Sequence, residues 1–205
     1  MSTSILNNQI GITSLMPPTI PVYKHTVGIG RDGVINELID GPITHPDQFK
    51  PIPGSLEAIA LLRSKQYNIV ILSNQYHITQ GTLLTWQVDL VHQYMLDLFG
   101  KAGCSSINGL YYSTTTLKDD IYAKPNLGMF KKAEQEQKVT FKGNVHVGDD
   151  IADLKAAFKI GATPVLVKTG NGLETLEKLN TYANRELKKK TVVFENLWEF
   201  ANEVP

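Results

Sequence analysis

The chain of 205 residues lacks most of the features that would direct a protein to a particular partner or compartment. Its one cysteine, Cys104, cannot form a disulfide within the chain, and the sequence has no apolar run long enough to span a membrane. Lys and Arg number 20 and Asp and Glu number 20, so no net charge attracts nucleic acid or an anionic membrane. There is no signal-peptide pattern. We therefore expect a cytoplasmic protein without a nucleic-acid or membrane partner, in which a local site binds any anion.

The first 23 residues differ from the rest of the chain. They contain Pro17, Pro18 and Pro21 and show neither a helical nor a strand period. This pattern predicts an N-terminal arm over residues 1–23, which is either flexible or docks on a protein partner such as a neighbouring subunit. Residues 24–205 are then one domain, because 42% hydrophobic and 20% charged residues is an ordinary globular composition.

Short apolar runs rich in β-branched residues alternate with segments of helical period. This alternation predicts an α/β fold with a Rossmann-like, doubly wound parallel sheet and helices on both faces. The predicted strands are Thr26–Ile29, Asn68–Leu72, Gly109–Ser113, Asn144–Val147, Thr163–Val167 and Thr191–Phe194. The predicted helices are Ser55–Gln66, Thr85–Gly100, Asn126–Gln137, Ile151–Ile160, Leu173–Lys189 and Leu197–Glu203.

Polar residues follow four of the predicted strands. In open α/β sheets ligands bind beyond the carboxyl ends of the strands, so these positions are candidates for a site. They are Gly30-Arg31-Asp32-Gly33, Ser73-Asn74-Gln75, Lys124-Pro125, and Gly148-Asp149-Asp150 with Asp153. Together they supply hydroxyl and amide donors, one cation and a carboxylate cluster, which favours a pocket for phosphate and magnesium.

Each element also has a purely structural interpretation. Asp149 or Asp150 would serve as the N-cap of the helix that follows. Ser73 and Asn74 would form a turn after a strand, and Lys124 would be a surface lysine at the end of a loop. Their order and shared location favour the site, because the structural interpretations would have to hold at every strand end together.

Four segments resemble the motifs of the haloacid dehalogenase superfamily in order and spacing. They are Gly30–Asn36, Ser73–Gly81, Lys124–Phe130 and Gly148–Gly172, and the similarity is greatest to the histidinol-phosphate and heptose-bisphosphate phosphatases. The resemblance spans nearly the whole chain apart from the arm and implies a phosphatase domain over residues 24–205. No large insertion follows the first or second motif, so we expect a minimal cap domain or none.

The resemblance also implies a role for each matching residue. Asp32, as general acid and base, and Lys124, which neutralises charge, would be the remaining catalytic residues. Ser73, Asn74, Gln75 and Lys124 would bind the phosphoryl group of a phosphorylated small molecule. Asp149 would hold Mg²⁺, with Asp32 and Asp153 as the other residues of the metal site.

Position 30 departs from the family pattern. The family typically has an aspartate nucleophile there, which forms an aspartyl phosphate and also binds Mg²⁺, whereas this chain has Gly30. We expect Mg²⁺ binding to be weakened and turnover to fall by ~10⁴ or more, since removing a covalent nucleophile elsewhere costs about 10⁶.

Zinc is a second departure. Many heptose-bisphosphate phosphatases bind structural Zn²⁺ through a loop with three cysteines and a histidine before the Lys-Pro motif. The corresponding stretch here, residues 113–122, contains neither residue type. A zinc site needs about four such ligands, so we predict no Zn²⁺.

Three hypotheses about function remain open. The first is a degenerate phosphatase that binds a phosphorylated metabolite and hydrolyses it very slowly or not at all. The second is an active Mg²⁺-dependent sugar-phosphate or histidinol-phosphate phosphatase in which Gly30 is an introduced change. The third is a structural or protein-interaction role on a reused fold, with self-association through the arm.

Overall fold

A computed structural model describes residues 10–12, 25–115 and 120–205, and a single sheet organises them. Its strands are β1 (Ile10–Ile12), β2 (His25–Ile29), β3 (Tyr67–Asn74), β4 (Gly109–Ser113), β5 (Val145–Gly148), β6 (Thr163–Val167) and β7 (Val192–Phe194). Their spatial order is β1-β4-β3-β2-β5-β6-β7, and every pair is parallel except β1 with β4. The predicted parallel sheet is confirmed, with β2, β3 and β5 at its centre.

Helices cover both faces of the sheet. They are α1 (Ser55–Ser64), α2 (Thr85–Lys101), α3 (Gly128–Gln137), α4 (Ile151–Ile160), α5 (Gly172–Leu179), α6 (Arg185–Lys190) and α7 (Leu197–Glu203). Successive side chains of β3 show the two faces, because Ile69 and Ile71 pack in one cluster with α1, α2 and α7, whereas Val70 and Leu72 pack in another with α3 and α4. None of the described helices is both long and apolar enough to cross a membrane.

Strand β3 is longer than predicted. It continues through Ser73 and Asn74, which pair with Tyr112 and Ser113 of β4. The interpretation of Ser73 and Asn74 as a turn is therefore wrong. Their backbones are held in the sheet ladder, so their side chains have fixed positions at the carboxyl end of a central strand.

The predicted helix Leu173–Lys189 is two helices. After α5, Thr181 is extended at φ −76° and ψ 152°, and a 3₁₀ turn over Tyr182–Asn184 leads into α6. The Thr181 hydroxyl and the Asn184 amide both donate to the carbonyl of Lys178. Short polar side chains that bond to nearby backbone groups in this way compete with a continuous helix.

The N-terminal arm contains a strand that its sequence pattern does not predict. Ile10–Ile12 forms β1, which covers the outer edge of β4 by antiparallel pairing. Residues 1–9 and 13–23 lie outside the described residues. Flexibility of the arm, or its docking on a partner, stays a prediction.

Candidate functional site

The predicted site residues meet in one cleft of about 660 Å³ at the carboxyl ends of the central strands. They come from four separate segments that the parallel topology brings to one edge of the sheet. The predicted residues that line the cleft are Gly30, Asp32, Ser73, Asn74, Gln75, Lys124, Asp149 and Asp153.

Gly30 has an ordinary backbone with room for a side chain. Its amide donates to the carbonyl of Val147 at 2.9 Å, and its φ lies outside the left-handed region that favours glycine. A Cβ atom built at this position would be 3.1 Å from Cγ2 of Val34, and the next neighbour, the carbonyl oxygen of Val147, is 3.7 Å away. A slight shift of Val34 would accommodate it, so the local geometry does not require glycine.

Gly33 is a contrasting case. Its φ is +77°, and a Cβ atom there would lie only 2.0 Å from Oδ2 of Asp149. This position needs glycine both for its backbone conformation and for the close approach of a carboxylate.

Asp32 is held by two neighbours. Arg31 donates to both of its carboxylate oxygens, from Nε at 3.0 Å and from Nη2 at 2.8 Å, and Nε2 of Gln75 donates to Oδ2 at 2.9 Å. Arg31 is almost completely buried, and its Nη1 lies 2.9 Å from Nε2 of His92. Burial and the adjacent guanidinium lower the pKa of His92, so a neutral His92 accepts the third hydrogen bond from Arg31.

Asp149 lies deep in the cleft after β5. Its Oδ2 accepts a hydrogen bond from the backbone N–H of Asn171 at 2.8 Å. Burial, together with the nearby Asp153 carboxylate, raises the pKa of Asp149 to about 7. The adjacent Asp150 is the N-cap of α4, accepting from the N–H of Ala152 at 2.7 Å, so the capping interpretation holds for Asp150 and not for Asp149.

Lys124 is buried in the site and is not a surface lysine. Its ammonium group donates to the carbonyl of Leu72 at 2.9 Å and to Oδ1 of Asp153 at 2.5 Å. Nε2 of His146 lies 2.8 Å from the same carboxylate oxygen. Burial alone would raise the pKa of Asp153, but Lys124 and His146 lower it to about 2. Asp153 therefore stays ionised and fixes the lysine.

The three polar residues at the end of β3 have different surroundings. Nε2 of Gln75 donates to Oγ of Ser73 at 2.7 Å, which leaves the Ser73 hydroxyl hydrogen available to a ligand. The Asn74 amide bonds to the backbone of Lys124 at both ends, donating to its carbonyl at 3.1 Å and accepting from its N–H at 3.0 Å. Asn74 thus positions the lysine loop, and direct contact with phosphate stays a prediction.

The roles of Asp32, Asp149 and Asp153 as magnesium ligands stay predictions. Mg²⁺ requires near-octahedral oxygen coordination. The carboxylates of Asp32 and Asp153 already accept hydrogen bonds from Arg31 and Lys124, respectively. Within residues 10–12, 25–115 and 120–205, no three His, Cys, Asp or Glu side chains are grouped to hold a metal ion. Asp149 accepts one hydrogen bond, at Oδ2, whereas Lys124 and His146 both lie against Oδ1 of Asp153.

Sequence reasoning missed two buried groups that shape the site, the guanidinium of Arg31 and the imidazole of His146. Arg31 was visible as a charged residue in the loop directly after strand β2, and His146 as a polar residue within the buried strand β5. Neither residue type indicates which side chain it would contact in the folded protein. Their partners, Asp32 and Asp153, become evident only once the chain is folded.

A mostly parallel sheet with helices on both faces and a cleft at its strand ends defines a doubly wound α/β protein, in which the loops after the strands build the site. Residues 13–161 match the family model of haloacid dehalogenase-like hydrolases, and the chain belongs to that family. The family resemblance found in the sequence motifs is thereby confirmed.

The chain is also similar to individual heptose phosphatases. It is 32% identical over 176 residues to D-glycero-beta-D-manno-heptose-1,7-bisphosphate 7-phosphatase of Pseudomonas putida, covering 86% of this chain and 97% of that protein. The corresponding protein of Pseudomonas aeruginosa is 33% identical over 170 residues, covering 82% and 91%. A solved structure of D,D-heptose 1,7-bisphosphate phosphatase from B. bronchiseptica, complexed with magnesium and phosphate, matches with a TM-score of 0.78 and 29% identity, covering 87% and 97%.

Proposed function

We propose that this protein binds a phosphorylated small molecule and has lost all or nearly all of the phosphomonoester hydrolysis typical of its family. The observation that carries the proposal is Gly30, a residue without a side chain at the end of a central strand, on a backbone that would accept aspartate. Similarity to heptose-bisphosphate phosphatases supports a sugar phosphate as the ligand class.

Phosphate binding is supported by two donors that keep a free hydrogen. Lys124 has three N–H bonds, of which Leu72 and Asp153 use two. The Ser73 hydroxyl accepts from Gln75 and still has its own hydrogen to donate. Both residues line the cleft, and hydrogen bonds between charged groups and phosphate are among the stronger ones in proteins.

Loss of hydrolysis follows from the chemistry of phosphoryl transfer, which needs an in-line attacking oxygen. Gly30 offers none. Asp32 would have to activate water in its place, but its carboxylate already accepts three hydrogen bonds from Arg31 and Gln75. Taking up a proton would weaken these bonds, so Asp32 is poorly suited to replace the missing nucleophile.

Weakened magnesium binding is part of the same proposal. In a complete site Mg²⁺ would neutralise phosphoryl charge, and Asp149 would be the residue that holds it here. The site has one carboxylate fewer than the family pattern supplies. The carboxylate of Asp32 is already paired with the guanidinium of Arg31.

The test is a phosphatase assay with Mg²⁺ on D-glycero-D-manno-heptose 1,7-bisphosphate and histidinol phosphate, comparing the chain that has Gly30, for short the natural chain, with the Gly30→Asp variant. We expect the natural chain to be slower than Gly30→Asp by ~10⁴ or more, as for the loss of a covalent nucleophile. Turnover by the natural chain at about 1–10³ s⁻¹, the ordinary range for enzymes, would contradict the proposal.

A second candidate function is an active Mg²⁺-dependent phosphatase in which Gly30 is an introduced change. The room for a Cβ atom at position 30 favours it, because the surrounding fold has not closed over the position. Sequencing codon 30 in the source gene separates the two candidates. An aspartate codon there would support the second candidate, and a glycine codon would support the first.

A role in protein interaction and a cytoplasmic location stay predictions from the sequence. The arm is the segment expected to dock on a partner. Its strand β1 pairs with β4 of the same chain. Light scattering on the full chain and on a chain without residues 1–23 tests self-association, and a monomer in both cases would contradict it.

A further inference from the structure

We infer that this cleft binds a phosphoryl group without a divalent cation, in contrast to a cleft that has a carboxylate at position 30. The inference rests on the proposed function, since it concerns how the same site holds its ligand. Three features of the described residues carry it: the pairing of charges, the space at Gly30 and the free donors.

The two buried cations of the cleft are paired with carboxylates, while the exposed Glu37 and Asp40 add negative charge at its rim, where solvent screens it. The guanidinium of Arg31 is balanced by Asp32, and the ammonium group of Lys124 is balanced by Asp153. Asp150 caps α4 at the rim, and Asp149 is the buried carboxylate of the lining that has no ion-pair partner among the described residues. An aspartate at position 30 would add a second one beside it.

The number of unpaired carboxylates decides whether a cation is needed. A phosphate dianion next to two carboxylates is repelled strongly, because charges in a partly buried cleft are weakly screened, and a divalent cation must neutralise them. With Gly30 this second charge is missing. The anion then faces an interior in which the Asp149 carboxylate remains and two donors, Ser73 and Lys124, each keep a hydrogen to donate.

The space at Gly30 favours the same conclusion. A Cβ atom there would touch Val34 and approach the backbone of Val147, both on the protein side. Gly30 itself lines the cleft, so no side chain of residue 30 stands between its backbone and a ligand. The interior of the cleft then has one carboxylate fewer for a metal ion to neutralise than a cleft with aspartate at position 30.

The experiment measures binding of inorganic phosphate by calorimetry at one pH and one ionic strength, in EDTA and then in excess Mg²⁺. It uses the natural chain, Gly30→Asp and Gly30→Asn. Asparagine is the matched control because it has the size of aspartate and meets Val34 at the same distance but carries no charge. Circular dichroism melts confirm that each variant is folded.

We expect the Kd of the natural chain to change less than about threefold between EDTA and Mg²⁺, whereas Gly30→Asp gains at least about tenfold in affinity on adding Mg²⁺. Gly30→Asn should behave as the natural chain does. If the natural chain binds phosphate only when Mg²⁺ is present, this inference is wrong and the proposed function still stands. No phosphate binding in either condition would overturn both. If Gly30→Asp does not fold, the comparison of the natural chain in EDTA and Mg²⁺ still decides the matter.

Discussion

Two sides of the cleft differ in how complete they are. The lysine side consists of Lys124, Asp153 and His146, a buried network in which Asp153 fixes Lys124 and stays ionised. The nucleophile side consists of Gly30 and Asp32, where one residue has no side chain and the other is bound by Arg31 and Gln75. The difference teaches that the groups that hold an anion and the groups that attack it are separable in this fold.

The largest expected effect is on the lysine side. Asp153→Asn leaves the Lys124 ammonium buried without a counter-charge, and breaking a buried pair in this way costs about 3–5 kcal/mol. Urea denaturation measures the loss. The matched control is Asp150→Asn at the start of the same helix, which keeps an N-cap and should stay within about 0.5 kcal/mol. Equal stability of the two variants would show that the lysine side is not a coupled network.

A second effect concerns the pH dependence of stability. The pKa of Asp149 is about 7 in the folded protein against 3.8 for an unperturbed side chain, so between these values the folded protein holds a proton that the unfolded chain has released. Stability should therefore fall as pH rises from about 4 to about 7, by as much as ~1.4 kcal/mol per pH unit from this group. Asp149→Asn should remove that part of the decline.

Denaturation at pH 5 and pH 8 in EDTA measures this difference. Asp150→Asn is again the control, and it should retain the decline of the natural chain. Identical pH profiles for the natural chain and Asp149→Asn would mean that Asp149 is ionised throughout and that its burial has no energetic consequence.

The smallest expected effect is on phosphate affinity, and it concerns the donor residue Ser73. Ser73→Ala removes one hydrogen-bond donor to phosphate, which is worth about 1.5–3 kcal/mol for a charged acceptor and so weakens phosphate binding by roughly 10- to 100-fold. The control is Ser55→Ala, another buried serine, whose hydroxyl donates to the carbonyl of Ile35 away from the strand-end donors. That variant should lose stability without losing phosphate affinity. The opposite pattern would remove Ser73 from the binding site.

Much of the fold was predictable because buried parallel strands and amphipathic helices leave periodic patterns in the sequence. Strand β6 and helix α4 have the predicted bounds. Where polar side chains compete for backbone groups the prediction was wrong, as at Thr181, which ends a helix that the periodicity would continue. Strand β1 was also missed, since three residues are too few to show a period.

The candidate site was predictable as a set of positions and less so as a set of contacts. Gly30, Ser73, Lys124 and Asp149 all line the cleft where their strand ends predict. Asp153, expected near the metal, pairs with Lys124, and its place in a metal site stays a prediction. Asn74 is bound to the backbone of the same lysine. Hydrogen bonds between segments about 30 and 50 residues apart leave no local pattern that would reveal them.

By itself, the sequence determined the alternation of strands and helices, the polar residues at the strand ends and the absence of a carboxylate at position 30. These are properties of single residues and of short-range periodicity. Only the tertiary structure decided which charges pair, which carboxylate remains free and that Gly30 has room for a side chain. Those properties depend on distances and burial between segments remote in the chain, which are fixed when the sheet brings its strand ends together.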